Sequence, residues 1–247
     1  MRLIEKVIPP SSGRHTGTVI FFHGSGDTGN NLVEWIRFLL GKDMDFPHLK
    51  IIFPTAPVQP YTPLGGQNSN VWFDRRSISI DAKESRSSLA AIYETVQEIL
   101  KREIGEGISP HRIIVGGFSM GGALALHTGY HLFLNQQQLG GIFACSSFLN
   151  RTSIVYESLS TASSDTKLPK LLMFHGDRDT LVPLKWGETT FQELRNSGVS
   201  GDFITLKNTL HELKKRQILQ LCDWIQEIVP ENENKPANSD DNIKTKL

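Results

Sequence analysis

Apolar positions along the chain fall into two alternating rhythms. Short runs that are almost wholly apolar lie at 18–22, 50–53, 112–115, 141–145, 170–174 and 202–206. Several give way at once to turn residues, such as His23-Gly24 and Gly116-Gly117. Runs of this kind predict strands buried on both faces of a parallel sheet. Residues 3–8 are expected to add an edge strand. Between these runs the apolar residues recur at helical spacing. Segment 31–40 places Leu32, Trp35, Ile36 and Leu39 on one face, and 85–104 does the same with Leu89, Ile92, Val96, Ile99 and Leu100. Segments 120–130, 187–195 and 212–229 complete the helical set. Strands alternating with helices predict an α/β fold whose central sheet is mostly parallel, with helices on both faces.

Two stretches fit neither rhythm. Segment 55–76 contains Pro57, Pro60, Pro63, Gly65 and Gly66, and reads as a long loop of the kind that carries function in compact domains. Segment 230–247 is polar with almost no apolar residue and is expected to be a disordered tail. The expected organisation is therefore a single domain over 1–229 followed by that tail, with no internal repeat.

Composition removes several functional classes. Lys+Arg and Asp+Glu number 26 each in 247 residues, so no basic excess draws the chain to nucleic acid. The two cysteines, Cys145 and Cys222, are isolated and suit buried thiols in a reducing compartment. The longest apolar runs are too short to cross a bilayer, and the first ten residues lack a signal-peptide pattern. A cytoplasmic protein without stable membrane insertion is expected. The C-terminal Thr-Lys-Leu is a poor match to the peroxisomal tripeptide.

Candidate chemistry centres on Gly117-Phe118-Ser119-Met120-Gly121, a GxSxG that follows one expected strand and opens one expected helix. At such a turn a serine is pushed into a strained backbone conformation and projects from the sheet edge, with free helix N–H groups facing the reacting centre. Packing of small residues is the competing explanation, but the strand–turn–helix context favours a nucleophile. A serine hydroxyl needs a base, and in this fold an acid and then a histidine follow it in chain order. Segment 170–174 runs into His175-Gly176-Asp177-Arg178-Asp179, and 202–206 runs into a loop ending at His211. Of the eight histidines only His211 follows both serine and acid. Asp179 is favoured over Asp177, because it lies further out and has the reach to the histidine. Asp177 sits next to the turn glycine and suits bonding to loop amides.

The oxyanion hole should combine the amide after the nucleophile, that of Met120, with one from the loop His23-Gly24-Ser25-Gly26-Asp27, where the Ser25 amide is the candidate. Gly24 to Gly29 also fits G-x-G-x-x-G, a dinucleotide fingerprint and hence an oxidoreductase alternative. The next strand ends Phe53-Pro54-Thr55 without the acid that would hold a ribose, and that reading gives Ser119 no role. No cofactor or metal is expected. Tyr61, Leu64, Trp72 and Phe73 are candidate substrate-binding residues in the long loop. Trp72 and Phe73 serve equally well as anchors of that loop to the core.

Five blocks taken together resemble the acyl-protein thioesterase and lysophospholipase family of α/β-hydrolases. They are residues 23–27, Phe53-Pro54-Thr55-Ala56-Pro57, Val71-Trp72-Phe73-Asp74, 116–122 and 175–179. The resemblance implies the α/β-hydrolase fold, with Ser119, Asp179 and His211 as a catalytic triad and Ser25 and Met120 as oxyanion donors. It also implies hydrolysis of acyl esters or thioesters on small molecules or S-acylated proteins, with lysophospholipids as the alternative. Ser25 stands where the better-known thioesterases carry leucine, and Arg2 where they carry an acylated cysteine. A polar residue at the mouth of an acyl groove weakens the contact a long chain needs, so short or medium acyl chains are expected.

Overall fold

In a computed structural model the structure describes residues 3–134, 136 and 138–231. Nine strands and six α-helices follow one another over these residues. The strands are β1 (Ile4–Ile8), β2 (Gly17–Phe22), β3 (Leu49–Thr55), β4 (Val58–Tyr61), β5 (Gln67–Asn70), β6 (Ile113–Phe118), β7 (Gly141–Cys145), β8 (Lys170–Gly176) and β9 (Gly201–Leu206). The helices are α1 (Gly29–Leu40), α2 (Arg86–Gly105), α3 (Met120–His127), α4 (Ile154–Ser160), α5 (Leu184–Asn196) and α6 (Lys215–Ile228).

Seven strands form one sheet in the order β1-β3-β2-β6-β7-β8-β9. Only β1 runs antiparallel, pairing Ile4 with Thr55 and Ile8 with Ile51. All other neighbours are parallel, and β2, β6 and β7 are buried along their length apart from Phe118 at the end of β6. That is why they read as unbroken apolar runs. The sheet divides the core into two layers. One holds Ile20, Phe22, Val115, Trp72, Leu124 and the buried face of α2; the other holds Phe21, Phe53, Phe143, Phe174 and the inner faces of α1 and α6. The architecture is the α/β-hydrolase arrangement expected above.

Several boundaries differ from the expected ones for identifiable reasons. The segment 55–76 is not all loop: β4 and β5 pair as a small hairpin, Val58 with Asn70 and Tyr61 with Gln67. Pro60 and the polar run Gln67–Asn70 hid it. Helix α1 begins two residues early because Thr28 caps it, its hydroxyl accepting the Asn31 amide. Helix α6 begins at Lys215 rather than 212, where the Gln217 side-chain oxygen accepts the Lys214 amide at 3.2 Å. Helix α4 was not anticipated, since seven residues bury only Val155 and Leu159. The expected tail 230–247 lies almost entirely outside the described residues.

Candidate active site

The C-terminal ends of the parallel strands carry the candidate residues. Strand β6 ends at Phe118, and Ser119 follows with φ 55° and ψ −119° before α3 starts at Met120. A positive φ on a serine is sterically costly and needs the surroundings to enforce it. The enforcing contacts are close. The Ser119 amide donates to the Cys145 carbonyl at 2.8 Å, and the Ser119 carbonyl accepts from Ala123 at 3.1 Å. A Cβ on Gly117 would fall 2.2 Å from the Gly121 carbonyl carbon, and one on Gly121 would fall 2.3 Å from the Phe22 oxygen. The flanking glycines are therefore required by backbone packed against backbone.

The two later loops are sewn together. The Arg178 amide donates to the Thr209 carbonyl at 3.0 Å, and the Thr209 amide donates to Asp177 Oδ1 at 3.3 Å. Asp177 thus serves the loop, as its position suggested. The stitching brings Asp179 Oδ2 to 2.7 Å from His211 Nδ1. The second oxygen, Oδ1, accepts the amides of Leu181 at 3.0 Å and Val182 at 2.8 Å. Burial pushes the Asp179 carboxyl up, but hydrogen bonds from His211 and Val182 outweigh it and hold its pKa below the usual range. The Asp179 side chain is sealed from solvent while that of His211 stays 16% open. The imidazole of His211 packs at 4.8 Å, centroid to centroid, against the ring of Phe118, the residue before Ser119.

The loop after β2 packs against Ser119. A Cβ on Gly24 would lie 3.4 Å from the Ser119 Cβ. His23 orders this loop: its Nδ1 donates to the Gly24 carbonyl at 2.6 Å and its Nε2 accepts the Ala56 amide at 2.9 Å. Burial lowers its pKa, so the ring is held neutral. The Ser25 side chain hydrogen-bonds Tyr61. Glycine at 29 is explained by packing, because a Cβ there would strike the Phe53 carbonyl oxygen at 2.1 Å. The G-x-G-x-x-G pattern therefore has a structural cause.

Of the four candidate wall residues, Tyr61, Trp72 and Phe73 are buried and only Leu64, at 50% exposure, faces solvent. The Trp72 indole donates to the His23 carbonyl at 2.8 Å and packs against Phe22, which makes it an anchor of the loop. Exposed Leu181 and Leu210 flank the Asp179–His211 pair in sequence; periodicity gave no sign of them. His15, His48, His127, His131 and His175 each have a structural partner. His175 Nε2 donates to the Val182 carbonyl at 2.8 Å, and His127 Nδ1 lies 2.8 Å from the Tyr93 hydroxyl. Among the described residues, His15, Glu103 and Glu106 form the one group with metal-ligand spacing, but Lys50 Nζ already sits 2.8 Å from Glu103 and 2.7 Å from Glu106. The group is an ion-pair network.

Comparison with known proteins identifies the family. The model of the phospholipase/carboxylesterase family matches residues 4–229. The chain belongs to that family. Mouse lysophospholipase-like protein 1 is 42% identical over 222 residues, covering 90% of this chain and 91% of the relative. Acyl-protein thioesterase 1 homolog 1 of Dictyostelium discoideum is 35% identical, covering 87% and 92%. Among solved structures, Arabidopsis thaliana SOBER1 superposes with a TM-score of 0.76 at 25% identity, covering 87% of this chain and 99% of that one. Zea mays acyl-protein thioesterase 2 gives 0.71 at 25%, covering 92% and 99%. As a member of the phospholipase/carboxylesterase family the chain is a hydrolase, and no helix among its described residues is long and apolar enough to cross a membrane.

Proposed function

We propose that this chain is a serine hydrolase that cleaves acyl esters or thioesters through an acyl-enzyme on Ser119. The observation that carries the reading is the 2.7 Å Asp179–His211 hydrogen bond, with the His211 ring packed on Phe118 next to a serine held at positive φ in a strand-to-helix turn. In this mechanism His211 takes the Ser119 proton as the hydroxyl oxygen attacks the acyl carbonyl carbon. Asp179 fixes the proton on Nδ1, leaving Nε2 free to accept, and stabilises the imidazolium that forms. The amides of Ser25 and Met120 hold the oxyanion. His211 returns the proton to the departing alcohol or thiol, and water then repeats the sequence on the acyl-serine.

The substrates are acylated small molecules or S-acylated proteins, a reading supported by relatives named acyl-protein thioesterases. Mouse lysophospholipase-like protein 1 supports lysophospholipids as the second reading. Short or medium acyl chains fit best. With Tyr61, Trp72 and Phe73 buried, the long loop leaves only Leu64 of its four candidate wall residues, together with Val58, as exposed apolar surface. Each further CH₂ left in water forgoes about 0.8 kcal/mol of binding. The proposed cellular location is the cytoplasm, and the reaction needs no cofactor. The test is labelling by a fluorophosphonate probe together with rates on p-nitrophenyl esters from C2 to C16. Labelling and turnover should vanish in Ser119→Ala, and rates should peak below C10. Full activity in that variant would end the assignment, and a steady rise to C16 would end the chain-length claim.

A further inference from the structure

The segment between β5 and α2 brings a cation to the candidate site. Arg75 is half-buried, and its guanidinium carbon lies 5.1 Å from the ring centroid of Phe73 and 5.4 Å from that of Phe148. Both rings lie within cation–π reach of a group that stays charged at ordinary pH. Its Nε is sealed from solvent and has no hydrogen-bond partner. A buried donor on a charged group is costly to leave unpaired.

The neighbouring carboxylates are committed elsewhere. Asp74 accepts from the Thr62 amide at 2.8 Å with Oδ1 and from the Thr62 hydroxyl at 2.7 Å with Oδ2. Glu84 pairs with Arg75 only through a backbone bridge. Its Oε2 accepts the Ile154 amide at 2.9 Å, and its Oε1 lies 3.2 Å from His127 Nε2. Among the described residues the Arg75 guanidinium enters no ion pair. The backbone bridge to a glutamate that is itself anchored holds Arg75 in place. The position is pre-organised, and its charge feels Tyr61, Glu84 and Asp74 only through space, with no ion-pair contact among the described residues to spend its N–H donors.

The place of that charge ties it to the candidate site on two sides. Tyr61, whose hydroxyl feels the Arg75 charge, hydrogen-bonds Ser25 in the loop that passes Ser119. On the other side Phe148 lies three residues beyond Cys145, whose carbonyl holds the Ser119 amide. Phe148 also packs with Val182, whose amide bonds Asp179. Arg75 is thereby linked to the candidate site through Tyr61 on one side and Phe148 on the other.

We propose that Arg75 is a subsite for an anionic group, a carboxylate or phosphate, carried by the ester or thioester that this chain hydrolyses. The inference rests on the serine-hydrolase reading and narrows its substrate class. A guanidinium fork binds either anion through two parallel N–H bonds, and its planar faces remain free for the aromatic rings.

Paired substrates test this with the full chain. One pair is p-nitrophenyl pentanoate against the p-nitrophenyl monoester of glutaric acid, which carries a free carboxylate on the acyl side. The other is 1-butyrylglycerol against 1-butyrylglycerol 3-phosphate, which carries phosphate on the alcohol side. The wild-type chain should favour the anionic member of one pair by about tenfold or more in kcat/KM, the scale of a charge-assisted hydrogen bond. The pair that responds identifies the anion and its side. Arg75→Gln should erase the ratio, and Arg75→Lys should retain more of it than Gln does. No preference in either pair, or a ratio untouched by Arg75→Gln, overturns the proposal. A Gln variant that does not fold leaves a decisive measurement on the wild type. Glutaramate and glycerol 3-phosphate are each compared with their uncharged counterparts, glutaramide and glycerol, as inhibitors of pentanoate hydrolysis. One anion should bind at least tenfold more tightly than its neutral partner, and equal inhibition within both pairs overturns the subsite. Absence of Ser119-dependent pentanoate hydrolysis would instead sink the hydrolase reading itself.

Discussion

Asp179 divides its carboxylate between His211 and its own loop: Oδ2 holds the imidazole Nδ1 at 2.7 Å, while Oδ1 accepts two backbone amides. The pair is thereby fixed in orientation before any substrate arrives. Asp179→Asn keeps the shape but lets the amide donate to Nδ1, so the imidazole is left with its proton on Nε2. In the proposed mechanism kcat should then fall roughly ten-thousandfold. Steady-state rates on a short p-nitrophenyl ester measure it, and a loss under tenfold would remove Asp179 from the chemistry.

The turn at Ser119 depends on Gly121, where a Cβ would meet both the Phe22 and His23 carbonyl oxygens, the latter at 2.5 Å. Backbone cannot yield as a flexible side chain can. Gly121→Ala should destabilise the fold by about 3 kcal/mol and abolish probe labelling. Denaturant midpoints give the first number; an unchanged midpoint would show that α3 has room to move.

Two buried imidazoles predict how stability depends on pH. Burial lowers the pKa of His23 and of His175, so both stay neutral in the fold while the unfolded chain protonates them near pH 6.5. The unfolded state then binds more protons, and stability must fall as pH drops below about 6.5, by up to roughly 1.4 kcal/mol per pH unit for each group. The loss ceases for each group once pH passes below its folded-state pKa. Melting temperatures between pH 7.5 and 5 should decline, and the decline should be shallower in His175→Gln. A flat profile in the wild type would contradict the neutral assignment.

Trp72 donates its indole N–H to the His23 carbonyl, a buried acceptor in the loop beside Ser119. Trp72→Phe keeps most of the apolar bulk and orphans that carbonyl. The cost should be about 1–3 kcal/mol of stability. Esterase activity should fall as well, because the loop that offers the Ser25 amide loses a tie. Chemical denaturation and kcat on the same preparation separate the two effects.

The sheet was legible in the sequence because its central strands are buried on both faces, so β2, β6 and β7 announce themselves as apolar runs. The long amphipathic helices were legible for the matching reason. What escaped notice was held by polar or isolated contacts. The β4–β5 hairpin is built from Pro60 and a run of Gln, Asn and Ser, and α4 is a helix of only seven residues. In the site, chain order alone placed Asp179 and His211 together, because a parallel sheet delivers successive loops to one edge. Burial of Trp72 and Phe73, the Ser25–Tyr61 contact and the unpaired Arg75 left no trace in periodicity. Each depends on which distant element lies opposite, a quantity that local pattern does not encode.

The backbone at Ser119 bends in a way that only glycine tolerates freely. A chain chosen for robustness alone would carry glycine there and gain by it. Retaining a hydroxyl at that bend means that part of the surrounding framework is spent on holding one side chain in an awkward pose. The tightest corner of the molecule is where folding and reactivity pull in opposite directions.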